Sequence, residues 1–588
     1  AQPLDRRSDI WSLGVVLYEM LTGSLPFHGE VEGAVAYAVI NTEPEPPTAR
    51  RSGLPVELDH IVDKALTKNP DERYQHVEDM LVDLRAVQSG RGVVKPAPRR
   101  RKLTRRTVVV GAAGAVALGA TGFYALLRRR PIDSLAVLPF VNASGDSNTE
   151  YLSDGISESL ISSLSRLPGL RVLSRNTAFR YKGQERDIRE LGRELGVRAV
   201  LAGRLTQRGE SLAISAELVD TRDGAVIWGE QYSQPVAGLL AIDRDIARQI
   251  SQQLRSRLTG EEEQQPFGPS TRDAEAYRFY LQGRYLWNRR GAGLRQAADY
   301  FQKAADRDPD YALAWAGLAD SFLMLGGWGL MRPPEAFPRA RDAASRAIQM
   351  EETLAEPHAT LGYLKTLYEW DWPGAEREFR RAIELNPEYG TAHHWYAFYL
   401  LTVGSASEAL VEIRRARDVD PLSPIINAEV AHFYIFARQY EQAVREAQKA
   451  LELDPAFPST YRLLGHAFAL QGKRQEAKAA IDQGNRLSEQ GSVFVGISGS
   501  VLAFAGYTEE ARKLLAELTR RAETEYLFPA LLGIFHASLG EKDRAFDYFD
   551  QALEERSMVA SWLRDPALDD IASDTRFRRI FERMGLKP

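Results

Sequence analysis

The chain has 588 residues, which is too many for one hydrophobic core, so we expect several domains. Its formal net charge of −5 shows no global basic bias, and nucleic acid is therefore not an expected partner. The chain contains no cysteine, which excludes disulfides, thiolate metal sites and cysteine nucleophiles.

Two sequence blocks near the start occur in a recognisable order. SDIWSLGVVLYEMLTGSLPF occupies residues 8–27, and LPVELDHIVDKALTKNPDERYQHVEDMLVDL occupies residues 54–84. Residues 9–21 are apolar nearly all round, as expected of a helix buried at the centre of a lobe. With these blocks, residues 1–88 resemble the end of the C-terminal lobe of a bacterial serine/threonine protein kinase, which implies an α-helical fold.

The resemblance assigns structural roles to four residues. Asp9, Trp11 and Gly14 match the D-x-W-S-x-G block, whose aspartate hydrogen-bonds to the backbone of the catalytic loop and orders it. Arg73, in NPDERY, matches the arginine that pairs with the glutamate of the A-P-E motif in the activation segment. These roles concern the architecture of a kinase lobe and not its chemistry.

Phosphoryl transfer needs parts that we do not find in the sequence. It requires a Gly-rich loop and a lysine at the nucleotide, an H-R-D aspartate, an asparagine, and a D-F-G aspartate that holds magnesium. None of these motifs occurs in residues 1–588. We therefore predict no catalytic, cofactor-binding or metal residues, and an inactive chain that looks like the carboxyl-terminal part of a kinase. ATP and Mg²⁺ are the cofactors that the resemblance implies for an intact parent kinase.

A basic linker and an uncharged segment follow the kinase-like blocks. Residues 89–106 include eight Lys or Arg and no acidic residue, which predicts an unfolded juxtamembrane linker attracted to anionic lipid. Residues 107–127 carry no charge, and as a helix they would extend about 31 Å, roughly one bilayer core. This pattern predicts a single transmembrane helix.

The flanking charges predict the orientation of that helix. By the positive-inside rule, residues 1–106 are expected in the cytoplasm and residues 128–588 outside the inner membrane. Gly111, Ala115 and Gly119 form a small-residue face along the predicted helix, which favours close packing of two helices and hence a homodimer. An interpretation of these residues as filler is equally good.

Residues 132–258 alternate strand and helix patterns, which predicts a small α/β domain. LAISAELVDTRDGAVIWGEQY is typical of a hairpin, with Asp223 and Gly224 supplying the turn. Together with LAVLPF and YLSDGISESLISSLS, this stretch resembles the TolB-like amino-terminal domain. The resemblance implies a structural or sensory role and carries no catalytic residue.

Residues 273–555 have a helical pattern that repeats. Six alanines recur every 34 residues, and two less regular copies precede them; the eight are Ala297, Ala340, Ala375, Ala409, Ala443, Ala477, Ala511 and Ala545. Eight helix pairs are therefore predicted to stack, each stabilised by its neighbours. This stretch resembles tetratricopeptide repeats, which implies an α–α superhelix whose groove binds a protein or peptide. Residues 556–588 look like the capping segment that follows such arrays.

Other site chemistry has little support in the sequence. H-E-x-x-H does not occur, so no zincin site is predicted. His358, His393, His432 and His466 lie at repeat-equivalent positions, where packing or groove lining explains them better than a metal. GISGS at residues 496–500 lacks the second glycine of G-x-S-x-G.

Three functional hypotheses remain open at this point. In the first, the parent protein is a membrane receptor-like kinase whose outer repeats control the kinase. In the second, the chain is a non-catalytic, membrane-anchored tetratricopeptide scaffold with a relic kinase segment. The third is a regulatory protein, because TolB-like and repeat modules also follow DNA-binding or cyclase domains; the kinase-like block is evidence against this third hypothesis.

Overall fold

The computed structural model forms two compact units, Ala1–Phe123 and Tyr124–Pro588, which are described separately. The described residues are 6–88 except 28–41, 43, 52, 69–72 and 75; 132–255 except 168; and 271–588 except 290, 292, 489–490, 558–559 and 561.

The first unit is helical where it is described. Its helices are α1 (Arg6–Thr22), α2 (Pro47–Arg50), α3 (Glu57–Leu66) and α4 (Val77–Gln88). Helices α1 and α3 pack closely at the buried Gly14, where a built Cβ would lie 2.9 Å from the Cβ of Ala65. The glycine therefore allows an approach that a side chain would prevent. Buried Tyr18, Ile61 and Tyr74 complete a small core.

The second unit begins with a mixed six-stranded sheet. Its strands are β1 (Ser134–Val137), β2 (Val141–Asn142), β3 (Arg171–Val172), β4 (Ala199–Arg208), β5 (Ser211–Asp220) and β6 (Val226–Pro235). The order is β3-β1-β4-β5-β6, with β2 paired to β4. Strand β1 is parallel to β3 and β4, whereas β5 is antiparallel to β4 and β6. The predicted turn joins β5 to β6, and its Gly224 adopts a φ of +74°, which favours glycine.

Four helices accompany the sheet. They are α5 (Glu150–Leu164), α6 (Arg175–Phe179), α7 (Ile188–Leu195) and α8 (Leu239–Arg255). Helix α7 begins where the Asp187 carboxylate accepts the backbone N–H groups of Arg189 and Glu190, and it ends at Gly196 in the left-handed conformation. Helix α5 is buried over most of its length, because it lies between α8 and the first helix of the repeat array.

The described part of the repeat array contains eight antiparallel helix pairs. The pairs are α9 (Ala274–Arg289) and α10 (Gly293–Arg307), α11 (Ala312–Gly327) and α12 (Pro333–Met350), α13 (Ala355–Leu364) and α14 (Trp372–Leu385), α15 (Gly390–Thr402) and α16 (Ala406–Val419), α17 (Pro424–Phe436) and α18 (Tyr440–Leu453), α19 (Pro458–Leu470) and α20 (Arg474–Leu487), α21 (Ser492–Phe504) and α22 (Thr508–Arg521), and α23 (Pro529–Ser538) and α24 (Lys542–Glu554). A π-helical turn, Lys365–Glu369, extends α13. Two short helices, α25 (Asp569–Ala572) and α26 (Thr575–Arg583), end the chain.

The eight repeat alanines explain why the pairs pack. Each lies on the second helix of its pair and is 0% exposed. A methyl group at this position lets the two helices approach closely, while larger neighbours such as Phe301, Phe379 and Phe549 fill the space between pairs. The 34-residue period is therefore a packing period.

The α/β region lies along one edge of the array. The buried Asp420, in the turn after α16, accepts hydrogen bonds from Ser174 at 2.5 Å, Asn176 at 2.8 Å and Thr177 at 3.2 Å. Burial raises the pKa of Asp420, although these hydrogen bonds partly offset that effect. The turn after α16 thus contacts the start of α6 through side-chain hydrogen bonds, and the two parts share a polar interface within one compact unit.

The membrane helix in the predicted fold class is corrected by the structure. Within the described ranges, no helix is both long and apolar enough to cross a bilayer. Even Ala312–Gly327, which is buried almost throughout, has only 16 residues, whereas a span needs about 20. Its apolar surface packs against other repeat helices.

The predicted localisation depended on the same helix and is corrected with it. A single-pass inner-membrane protein, with residues 1–106 inside and residues 128–588 outside, was expected. Residues 107–127, including Gly111, Ala115 and Gly119, and the basic linker before them lie outside the described residues. The fold that is described is mostly helical with one small sheet region.

Candidate functional site

The first helices of successive pairs form what we call the inner face of the array. On it, the rings of Tyr363 and Trp395 stack at a centroid distance of 4.8 Å with 8° between their planes. Phe398 packs against Tyr363 at 6.4 Å and against His432 at 5.9 Å. Tyr363 and Phe398 are only half-buried, so the inner face exposes aromatic surface of the kind that protein interfaces use.

A cavity of about 200 Å³ opens on the inner face. It lies between six first helices, α13 to α23, and the C-terminal segment from Trp562 onward, and we call it the central cavity. Its apolar lining includes Phe398, Phe504, Leu531, Ile534 and Trp562. Its acidic and basic lining consists of Glu429, His432, Arg462, His466 and Asp565.

Each acid in the central cavity faces an imidazole. His432 Nδ1 lies 2.6 Å from Glu429 Oε2, and His466 Nε2 lies 3.2 Å from Asp565 Oδ1. Burial raises the pKa of Glu429, but the charge and hydrogen bond of His432, together with the charge of other nearby groups including Arg462, outweigh it and leave the pKa below its usual value. The same balance, with His466 as the partner, lowers the pKa of Asp565. Both acids are therefore carboxylates near neutral pH.

Arg462 is the cation of this cavity, and it has no direct partner among the residues that the structure describes. Among the described residues, the structure gives its guanidinium no hydrogen bond and no ion pair, although Glu429 and Asp565 act on it at longer range. Burial lowers the pKa of Arg462, and the two carboxylates offset this only in part. An arginine in such a position offers a planar set of N–H donors to whatever occupies the cavity.

The neighbouring His394 is buried and neutral. Burial lowers its pKa to about 4, against a weaker opposing attraction from Glu429. His394 lies beside Phe398, with 5.3 Å between ring centroids. It supports the aromatic wall and carries no charge at neutral pH.

The C-terminal segment forms one wall of the central cavity. Three contacts join it to earlier pairs of the array: Trp372 Nε1 donates to Met584 O at 2.8 Å, Arg564 Nε donates to Thr402 O at 2.8 Å, and Arg438 pairs with Asp569. The segment therefore does more than cover the last pair. It crosses to the third, fourth and fifth pairs and closes one side of the inner face.

A second polar centre joins the α/β region to the first repeat helix. Asp243, which is 0% exposed, accepts hydrogen bonds from Ser159 at 2.6 Å and from Tyr277 at 2.8 Å. Burial raises the pKa of Asp243 to about 6, despite these hydrogen bonds. Three helices, α5, α8 and α9, thus meet at one buried carboxyl group.

The kinase-motif residues lie in the first unit. Trp11 stacks on Phe27 at 5.7 Å, and Arg73 donates from Nε to Thr67 O at 2.9 Å and from Nη2 to Lys68 O at 3.2 Å. Gly14 and Arg73 therefore both contact the carboxyl end of α3. Asp9 lies in α1, and its side chain is outside the described residues. The kinase partners that the resemblance assigns to Asp9 and Arg73 are not tested by these contacts.

The structure offers no candidate for a metal centre in the part of the chain that it describes. No group of three or more His, Asp or Glu side chains is arranged to hold an ion there. His358 and His393 instead pair with Glu378 at 2.7 Å and Glu412 at 2.8 Å, each across one helix pair.

Three family models match separate parts of the chain. The protein kinase domain matches residues 1–82, and a tetratricopeptide repeat matches residues 426–457. The second domain of HilA/YgeH-like transcriptional regulators matches residues 132–241. The expected TolB-like domain is not supported by these matches.

Two curated relatives illustrate the similarity. Serine/threonine-protein kinase PknB of Mycobacterium tuberculosis (strain ATCC 25618 / H37Rv) is 51% identical over 87 residues, which is 15% of this chain and 14% of PknB. Putative adenylate cyclase 3 of Rhizobium meliloti (strain 1021) is 33% identical over 231 residues, which is 39% of either chain. The chain thus spans less than half the length of these relatives.

Solved structures with a similar fold include tetratricopeptide proteins. YrrB, described as a tetratricopeptide protein with an unusual peptide-binding site, is 16% identical with a TM-score of 0.24, covering 33% of this chain and 94% of YrrB. A monomeric mutant of IFIT1 is 16% identical with a TM-score of 0.36, covering 54% of this chain and 76% of IFIT1. Likenesses this weak carry no argument about function.

These matches confirm the predicted similarity to protein kinases and the predicted tetratricopeptide repeats. The N-terminal part of the chain is kinase-like, and the C-terminal part contains tetratricopeptide repeats. Such repeats suggest protein or peptide binding, whereas the predicted lipid and homodimer partners have no support in these comparisons.

Sequence reasoning missed the charged residues of the central cavity. A signal was present, because Glu429 is the one acidic residue in a mainly apolar first helix and Arg462 holds a comparable place in the next. A charge in such a helix is unusual unless it is paired or faces a cavity. Asp565 gave no comparable signal, since its place in the cavity depends on how the C-terminal segment folds back.

Proposed function

We propose that this chain is a kinase-related protein whose repeat array binds a protein or peptide partner, and that residues 1–588 do not themselves transfer phosphate. The observation that carries the proposal is the inner face, where Tyr363 and Phe398 expose aromatic surface beside a packed Trp395. Aromatic residues held rigidly by their neighbours are common anchors of binding energy.

The matches to a protein kinase domain and to PknB support a place in phosphorylation signalling. The motifs that hold nucleotide and Mg²⁺ do not occur in residues 1–588, so ATP and Mg²⁺ are proposed only for an intact kinase of this kind. Incubation of the purified chain with radiolabelled ATP, Mg²⁺ and a general protein substrate checks this part of the proposal. We expect no label in either protein, and label that depends on Mg²⁺ would contradict it.

The binding function is tested with a displayed library of short random peptides selected on the full chain. We expect enriched sequences that share apolar anchor residues and that bind the purified chain as free peptides. Photo-crosslinking should attach them to the inner face, near Tyr363 or Phe398. Attachment only to the outer surface of the second helices would contradict the proposal.

A second candidate function is regulatory, and a specific observation favours it. Residues 132–241 match a domain of transcriptional regulators, and a putative adenylate cyclase matches over 231 residues. In this alternative, the α/β region and the repeats form an input module for whatever effector domain accompanies them. The kinase-like first unit makes a phosphorylation pathway the better-supported setting.

A further inference from the structure

We propose that the central cavity is a binding site for a small organic carboxylate with a compact apolar body. Arg462 would receive the carboxylate, and the aromatic and aliphatic lining would receive the apolar part. This goes beyond partner binding by the repeats, since it concerns a small molecule inside the array.

Arg462 presents its guanidinium to the central cavity. A guanidinium removed from bulk water is costly unless hydrogen bonds or a counter-ion compensate it. Arg462 is half-buried, and the described structure gives it neither a hydrogen bond nor an ion pair, whereas the similarly half-buried Arg284 has both. The planar N–H fork of arginine suits a carboxylate, which it binds through two parallel hydrogen bonds.

The two acids of the central cavity already have partners. Glu429 is engaged by His432, and Asp565 is engaged by His466 and by the backbone N–H of Ala567 at 2.9 Å. Among the described residues, neither acid forms an ion pair with Arg462, although both act on it at longer range. An incoming carboxylate adds the direct partner that the guanidinium lacks.

The central cavity has the size and the lining for a compact ligand. An engineered apolar cavity of about 150 Å³ holds benzene. The central cavity, at about 200 Å³, therefore has room for one ring with a short chain. Phe504, Leu531 and Ile534 supply apolar surface from two first helices, and Trp562 supplies it from the C-terminal segment. Such a lining with a few placed polar groups is typical of small-molecule sites.

A peptide carboxyl terminus has the same chemistry, but the geometry favours the small molecule. The C-terminal segment closes one side of the cavity through Asp565 and Trp562, and it is anchored through Arg564 on Thr402. A peptide would have to leave through the remaining opening with its backbone polar groups satisfied. A compact ligand has no such requirement.

Isothermal titration of the full chain with three matched probes tests the proposal. Hydrocinnamate carries the carboxylate, hydrocinnamamide is its neutral analogue, and phenylpropylamine is its cationic analogue. We expect hydrocinnamate to bind at least about tenfold more tightly than either analogue. A fourth probe, a short peptide ending in a free phenylalanine, represents the other source of the carboxylate and should bind more weakly than hydrocinnamate.

Variants show whether Arg462 is responsible. Arg462→Gln should remove the preference for the anion over the amide, and Arg462→Lys, which keeps the charge without the fork, should reduce it. Arg415→Gln, an exposed arginine on a second helix, should leave all affinities unchanged. Thermal melting of each variant establishes that it is folded, and Arg462→Lys preserves the test if the glutamine variant does not fold.

Four results would overturn the proposal. They are equal affinity for the three small probes, tighter binding of the amine, tighter binding of the peptide, and no binding heat up to about 10 mM hydrocinnamate. Tighter binding of the amine would mean that Glu429 and Asp565 control the cavity. Tighter binding of the peptide would mean that the cavity is part of the groove that binds a protein or peptide partner.

Discussion

Glu158 and Arg284 form a buried ion pair that joins the α/β region to the repeat array, with Arg284 Nε donating to Glu158 Oε1 at 2.7 Å. Arg175 and Asn288 add hydrogen bonds to the other carboxylate oxygen at 3.1 and 2.7 Å. Burial raises the pKa of Glu158, but the two guanidinium groups outweigh it and leave that pKa lowered. The carboxylate therefore stabilises the interface between the α/β region and the repeat array, through residues that are far apart in sequence.

Glu158→Gln should destabilise the chain by on the order of 3 kcal/mol at neutral pH, because it leaves buried arginines without their counter-ion. Since the folded pKa is lowered, the contribution of Glu158 is present above its ordinary value of 4.5 and is lost as pH falls through the lower folded value. Urea unfolding at several pH values measures both effects. Glu217→Gln, on an exposed strand position, is the control. Equal stability of wild type and Glu158→Gln at neutral pH would contradict this prediction.

Asp243→Asn should stabilise the folded chain, whereas Glu158→Gln should destabilise it. The folded pKa of Asp243 is raised to about 6 from 3.8, so its favourable contribution is complete below 3.8 and is lost as pH rises through 6. Because one pKa unit is worth about 1.4 kcal/mol, we expect the variant to be more stable by about 2–3 kcal/mol at alkaline pH. The advantage should vanish in acid.

The check is the same unfolding experiment at alkaline and acid pH, with the exposed Asp418→Asn as control. A variant that is less stable than wild type at alkaline pH would show that the ionised carboxylate is net stabilising through Ser159 and Tyr277. That outcome would contradict the expectation that the ionised form of the buried Asp243 destabilises the folded chain.

Arg564→Ala should loosen the C-terminal segment. The side chain donates to Thr402 O and to Lys587 O, both at 2.8 Å, and its guanidinium lies over the Phe581 ring at 5.1 Å. We expect a loss of about 2 kcal/mol and faster proteolysis of the segment, because hydrogen bonds from a charged donor are among the stronger ones. Arg583→Ala removes only an exposed pair with Asp550 and should change neither. Equal rates of proteolysis in the two variants would contradict the conclusion that Arg564 holds this segment in place as one wall of the central cavity.

Gly14→Ala should destabilise the kinase-like unit. The added Cβ would lie 2.9 Å from Ala65 Cβ and 3.0 Å from Leu66 Cδ2, so α1 and α3 must move apart at a cost of about 1–3 kcal/mol. Leu13→Ala, at a side chain that is 42% exposed, is the control. Hydrogen exchange of the α3 amides reports on this unit alone. Unchanged protection of α3 in Gly14→Ala would contradict the close packing of α1 against α3.

Much of the fold follows from local patterns in the sequence. The 34-residue alanine period predicted the helix pairs, because one small buried residue per second helix is a requirement of the packing. Asp223 and Gly224 predicted the hairpin, because a tight turn needs a residue that accepts positive φ. The turn signal is local, and the alanine signal recurs once in every helix pair.

The ion pair between Glu158 and Arg284 and the central cavity could not be predicted from local sequence patterns. Glu158 and Arg284 are 126 residues apart, and either alone is typical of an exposed helix position. Asp565 reaches His466 only because the C-terminal segment folds back over the inner face. The membrane expectation came from the composition of one segment, and no described helix supports it. Interactions set by tertiary docking leave little trace in local periodicity.

The claim that the inner face of the array is the partner-binding surface is tested most directly by titrating a peptide selected on the full chain against two matched variants. Phe398→Ala removes a half-buried inner ring, and Val411→Ala removes a side chain that is 57% exposed on the second helix of the same pair. We predict that Phe398→Ala weakens binding at least about tenfold while Val411→Ala leaves it unchanged. Unchanged affinity in folded Phe398→Ala, or a loss confined to Val411→Ala, would contradict the account.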